Sequence, residues 1–201
     1  MQKPSSNIYP GFFHTYIDQV PQAHLYDAFA AQLPIMNGFL SSVTEEKAGY
    51  SYAIGKWTIK EVLQHMIDTE RIFSYRALCF SRGEKIVLPG FEQDNYAAVS
   101  NANNRTWYSL GNEFLILRQS TQTLFNSFTE EMLANDGISN NNTNTVAGWG
   151  YAIIGHFYHH KKLLKKNMYK EMHHFKWCIS LYKLLSIIIS IFLSHLSIRL
   201  L

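Results

Sequence analysis

Apolar positions recur at helical spacing along most of the chain, and no segment alternates in the manner of a strand. Gly11–Gln19 predicts a short opening helix that is interrupted near Pro21. From Ala23 to Ser41, Leu25, Phe29, Leu33, Met36 and Leu40 fall three or four residues apart, and Pro34 is placed to kink that helix. Thr58 and Glu61 fit a capping box, in which a hydroxyl accepts an early backbone N–H and the acid reaches back to the cap. From there Ile59, Val62, Leu63, Met66, Ile67 and Phe73 give one apolar face through about Arg82. A third helix is expected from about Arg105 to Phe128, with Leu110, Phe114, Leu117, Leu124 and Phe128 inward. A fourth is expected from about Thr145 to Tyr169. Four long helices without a rival strand pattern predict an all-α fold, a four-helix bundle.

The connections differ in character. Gly83 to Asn104 reads as one long loop containing LPGFEQDNY and NANN, and a loop of that length in a compact domain is often a lid or rim. DGISNNNTNT, ahead of the fourth helix, reads as a polar connection rich in turn formers.

Charge changes the picture only when it is divided along the chain. Residues 1–160 carry ten Lys/Arg against fourteen Asp/Glu, whereas residues 161–201 carry eight against one. A nucleic-acid binder spreads basic residues over its folded surface. Here they gather in KKLLKK and beyond, where a helix C-terminus favours cations, so nucleic acid is not an expected partner. The two cysteines, Cys79 and Cys178, exclude a disulfide scaffold and a cysteine-based zinc site. MQKPSSNIYPGFF has no apolar run followed by a small-residue cleavage site, and a cytoplasmic location is the expectation.

The candidate chemistry lies in three histidines. His156 and His160 stand four apart in GHFYHH, so a helix places both imidazoles on one face, one turn apart. His159 lies about 100° around the helix from His160 and points elsewhere. His65 sits on the flank of the second long helix's apolar face, about 60° from Val62, turned toward a neighbouring helix. Glu61 and Asp68 share its side, and either could accept the second N–H of a metal-bound imidazole. Three neutral nitrogens suit zinc, nickel, iron or cobalt better than magnesium or calcium, and they leave a coordination position open for water or a substrate thiolate. Trp149, Tyr151 and Ile153 read as core. Arg71, Arg76 and Arg118 either bind an anionic substrate or pair with Glu70, Glu113 or other acids. Ser74 and Cys79 have no base beside them, which argues against a side-chain nucleophile.

KWTIKEVLQHMIDTERIFSYRALCFSRGE, then LPGFEQDNY, then GHFYHH, resemble the DinB-like superfamily over roughly residues 8–170. That superfamily includes YfiT-type metal hydrolases and bacillithiol transferases. The resemblance implies a four-helix bundle with a three-histidine site at His65, His156 and His160. It implies one divalent ion, zinc or nickel, and a metal-dependent hydrolase or thiol S-transferase acting on a small molecule, a thiol among the options. It also implies a homodimer as one option. A non-catalytic, stress-associated metal-binding protein is the alternative. Phe157 stands where close relatives carry an acid after the first histidine of the last motif, which removes any acid–base role from that position.

The chain is expected to divide into a DinB-like bundle over residues 1–172 and an atypical basic and hydrophobic tail over residues 173–201. Leu184–Leu193 is almost wholly apolar but is bounded by Lys183, His195 and Arg199, shorter than the roughly 20 residues a spanning helix needs. The tail reads as an extra packed helix, as a membrane anchor or as non-native coding. The packed helix and the non-native coding together are favoured over the anchor, because the apolar run is short.

Overall fold

A computed structural model describes residues 1–3, 9, 11–51 and 53–166, and the readings of the tail lie outside them. The chain divides into two compact units, Met1–Lys162 and Leu163–Leu201. The first carries every element that bears on the chemistry.

Its long helices are α2 (Leu25–Ser41), α4 (Ile59–Ser81), α6 (Trp107–Asn126) and α8, which runs over residues 146–166. Short pieces join them: a 3-10 turn Gly11–Phe13 leading into α1 (His14–Ile17), then α3 (Glu45–Ala48), α5 (Gln93–Val99) and α7 (Glu130–Ala134). Three of the long helices begin at hydroxyl caps, the third being α8, where Thr145 Oγ1 accepts the Gly148 N–H at 3.0 Å. Thr58 Oγ1 accepts the Glu61 N–H at 3.1 Å while Glu61 Oε2 accepts the Thr58 N–H at 2.7 Å, the expected capping box. Thr106 caps α6 by accepting the Ser109 N–H. Pro34 is exposed inside α2, which continues through it; the carbonyl left without its N–H belongs to Ala30, itself an exposed residue.

Helix α6 packs against both α4 and α2. Helix α8 is buried at every position from 146 to 157, as befits the central helix of a small bundle. Gln32 donates through Nε2 to the Ile154 carbonyl at 2.8 Å, and Tyr151 Oη donates to the Ala23 carbonyl at 2.6 Å, so polar atoms tie α2 and its approach to the core helix. Trp149, Tyr151 and Ile153 are core residues, as read from the sequence.

Two connections carry more structure than their sequences suggest. The polar stretch before α8 is a β-hairpin, β1 (Asp136–Ser139) antiparallel to β2 (Asn142–Thr145), with Ser139 opposite Asn142. Its two turn residues, Asn140 and Asn141, have φ of 47° and 60°. Asparagine tolerates that left-handed region, and two such residues in succession make the turn whose twist matches a hairpin. The long 83–104 connection contains α5 and a 3-10 turn at Ala102–Asn104, and it is stitched to the hairpin. The Leu88 N–H donates to the Ile138 carbonyl at 2.9 Å and the Asn140 N–H to the Leu88 carbonyl at 3.0 Å. At Gly90 a Cβ would meet the Asn140 side chain, which would have to turn aside for loop and hairpin to lie this close. Among the described residues no helix is long and apolar enough to cross a membrane.

Candidate functional site

Helices α4 and α8 bring three imidazoles to one point. His65 Nε2 lies 3.1 Å from His156 Nε2, and His160 Nε2 lies 2.9 Å from the same atom. One ring nitrogen from each of the three falls within 4.8 Å of the others. His159 turns away from this point to the N-terminal segment, 3.4 Å from Gln19 Nε2 and with its ring against Tyr16.

The local backbone explains the convergence. The capping box fixes where α4 starts, and His65 falls on its second turn facing α8. On α8 the four-residue spacing stacks His156 and His160. Gly155 has no side chain because a Cβ there would run into the Tyr16 carbonyl, and that close approach lays the Tyr16 ring edge-on to His156 at 5.1 Å. Trp57 covers His65 at 5.0 Å between ring centroids.

Neither acid named for His65 holds it. Glu61 is spent on the capping box, and Asp68 accepts the amide of Gln64. The group nearest His65 Nδ1 is the Thr69 hydroxyl, one turn on, at 3.4 Å.

Burial keeps the cluster neutral. It pushes His65 down to about 4, against a smaller upward pull from Asp94. Burial first, then the neighbouring His65 and His159, push His160 down to about 3. His156 is lowered well below the usual range by burial and then by the positive potential of its histidine neighbours. Neutral imidazoles are the form that binds metal ions.

The donor set also fits an ion on geometric grounds. A neutral ring nitrogen offers one proton or one lone pair, so His156 Nε2 can satisfy only one of its two close contacts by hydrogen bonding. A cation accepting lone pairs from all three nitrogens satisfies both. Tetrahedral zinc with bonds of about 2.0–2.1 Å sets its nitrogens about 3.3 Å apart, within a few tenths of an ångström of the spacings here.

His65 and His156 open onto a cleft of about 260 Å³. Its floor is the α4 stripe Thr69, Phe73 and Arg76, with Trp149 of α8 beside it. The N-terminal segment supplies Phe13 and Tyr16, the 83–104 connection supplies Phe91 and Glu92 as a rim, and the hairpin supplies Ser139 and Asn144. The long connection thus forms the rim expected of it. Sequence reasoning misses the cleft roles of Thr69 and Trp149, although Thr69 follows His65 by one turn; nothing in the polar run ahead of α8 marks its asparagines as cleft residues.

The arginines resolve separately. Arg118 pairs with Glu70 in a two-pronged bridge of 2.9 and 2.7 Å, with both side chains almost fully buried. Arg71 pairs with Glu113. Arg76 pairs with no carboxylate among the described residues. Ser74 meets only the Thr121 hydroxyl. Phe157 packs against Phe39 and Phe114, in the core and not in the cleft.

Comparison with known proteins agrees with this architecture. YfiT from Bacillus subtilis, a probable metal-dependent hydrolase with an unusual four-helix bundle topology, superposes with a TM-score of 0.57 at 14% identity, over 83% of this chain and 93% of that one. The mycothiol-dependent maleylpyruvate isomerase gives a TM-score of 0.57 at 12% identity, over 68% of this chain and 57% of that one. A variant of the same isomerase gives 0.54 at 11% identity, over 68% and 58%. At these identities the likeness is one of fold. No protein of curated function matches the sequence. The profile of the DinB superfamily matches residues 28–164, which spans α4, α6 and the three histidines, and the chain belongs to the DinB superfamily.

Proposed function

We propose that His65, His156 and His160 hold one divalent metal ion, zinc or nickel, and that the protein is an enzyme activating a thiol or a water for transfer to, or hydrolysis of, a small molecule in the adjoining cleft. The observation that carries this is three neutral imidazoles converging from two helices at the mouth of a cleft, with no fourth protein ligand among the described residues. A structural zinc site fills its four positions with protein, while a catalytic one keeps a position open.

When bound, the ion supplies Lewis acidity that lowers the pKa of a coordinated water or thiol toward neutrality. The remaining work falls to the chain. Trp57 and Tyr16 shield His65 and His156 from bulk water and hold their rings in place. Phe13, Phe73 and Phe91 give the substrate an apolar wall, and the loop–hairpin stitch keeps the rim in register over it. The isomerase of similar fold depends on a thiol, mycothiol, and YfiT is a probable hydrolase; these support the two reaction types between which the reading stands. The cytoplasm, where free thiols are abundant, is the proposed location.

Phe157 favours a second reading, a metal-holding protein without turnover, because the position after His156, where the family resemblance implies an acid, holds a core ring. Two measurements decide. Elemental analysis should find about one ion per chain and a sharp loss in His65→Ala; wild-type-like metal content in that variant counts against the ligand set. Metal-loaded protein should then turn over electrophiles with one of several low-molecular-weight thiols, or hydrolyse small amides or esters, and a metal-replete protein inert in both assays supports the second reading.

A further inference from the structure

The cleft contains hydrogen-bond donors that the protein leaves unused. Arg76 is 5% exposed, yet among the described residues its side chain makes a single hydrogen bond, from Nη2 to the Pro89 carbonyl at 2.7 Å. Its guanidinium otherwise lies over the rings of Trp149 and Phe73, 5.1 and 5.8 Å from their centroids. Glu92 stands in the same cleft wall but forms no ion pair with it. Asn144 Oδ1 accepts the Thr145 N–H at 3.0 Å, which leaves Nδ2 buried and unpartnered on a residue 1% exposed. Trp149 Nε1–H is buried and unpartnered as well. All three residues line the cleft beside the histidines, and every unsatisfied atom among them is a donor.

A buried donor without an acceptor is costly, and a buried cation without an anion more so. An Arg that sits in a cleft, stacked on rings and unpaired, matches the planar fork of a carboxylate. We propose that this cleft binds an elongated small molecule with a carboxylate head, held by Arg76 with Asn144 beside it, its apolar body lying along Phe73 and its reacting end at His65 and His156. This rests on the proposed metal reading only for the reacting end.

The spacing sets the length of the ligand. His65, Thr69, Phe73 and Arg76 form one stripe of α4, and eleven residues of helix span about 16 Å. Helical side chains lean toward the N-terminus, and Arg76 does so here, over the ring of Phe73 one turn back. The guanidinium lies 5.8 Å from the Phe73 ring centroid, and that centroid lies 6.3 Å from the His156 ring, which puts about 10 Å between carboxylate and reacting atom. Burial without an anion also lowers the Arg76 pKa, a penalty that a bound carboxylate removes.

Phenylbutyrate and phenylbutanol share a skeleton and differ in the head. Their binding to the full-length chain is read by calorimetry and by tryptophan fluorescence, since Trp149 lies against Arg76. The acid should bind about tenfold or more tighter than the alcohol, as charge-assisted hydrogen bonds predict. Arg76→Met should erase the preference, and Arg76→Lys, which keeps the charge but loses the fork, should retain part of it. The preference should appear in metal-free protein, so a failed metal assignment leaves this result intact, and the reverse holds. Equal affinity for acid and alcohol, no acid binding at millimolar concentration, or a preference that survives in folded Arg76→Met overturns the proposal.

Discussion

Replacing Glu70 by glutamine removes one charge from a pair that is all but sealed from solvent. Glu70 is 3% exposed and Arg118 1%, and the two prongs of 2.9 and 2.7 Å join α4 to α6 beneath the histidine cluster. Arg118 Nη1 has no partner, so the guanidinium already depends on this single carboxylate. The amide side chain would keep the shape and one acceptor but leave a buried cation uncompensated. Breaking a buried pair in this way costs about 3–5 kcal/mol, against a total of about 5–15 kcal/mol for an ordinary domain. For a chain of this size that is a fall in Tm of about 6–20 °C. Urea titration should show the midpoint falling with an unchanged slope. The double variant Glu70→Leu with Arg118→Met, which removes both charges, should recover most of the loss. A Glu70→Gln variant within about 1 kcal/mol of the parent, or a double variant worse than either single change, refutes the view that this pair is a desolvated clasp.

Two further tests address the site. Because burial lowers His65 to about 4 from an ordinary value of 6.5, the unfolded chain takes up its proton first as pH falls; the His65 contribution to metal-free stability is therefore complete above about pH 7, declines through the window from 6.5 to about 4, and levels below it. From pH 7.5 to pH 5 the loss from His65 alone is about 2 kcal/mol, measured by urea titration in chelator, and a flat profile contradicts a neutral cluster. Gly155→Ala forces the Tyr16 backbone off α8 and should destabilise by about 1–3 kcal/mol while raising the exposure of Tyr16 to chemical labelling; a neutral effect denies the close approach its role.

The bundle was legible because each long helix carries a period of apolar residues and α4 opens on a recognisable capping box; the caps at Thr106 and Thr145 went unread. Spacing placed His156 and His160 on one face of α8, and the flank of an apolar face offered His65, but it was the family resemblance that joined the three into one site. The hairpin was not legible: Ile138 is the only apolar residue in its two strands, and its turn uses Asn140 and Asn141 where glycine is the usual signal. Periodicity leaves Arg118 open between a surface pair and a substrate contact, and it instead lies in the core, because its partner is 48 residues away and helical spacing says nothing of such pairs. The carboxylates expected beside His65 are engaged elsewhere for a local reason, since each has a nearer partner within its own helix end or turn. Phe157 is explained by position: one residue after His156 the helix turns its side chain from the cleft into the core, between Phe39 and Phe114.

X-ray absorption at the metal edge of zinc-loaded protein tests the central claim most directly. The account predicts three imidazole nitrogens at about 2.0–2.1 Å with one further light atom from solvent, and loss of the imidazole shells in a His65→Ala, His156→Ala, His160→Ala chain. Zinc bound with sulfur ligands, or with an unchanged spectrum after the three substitutions, would contradict it.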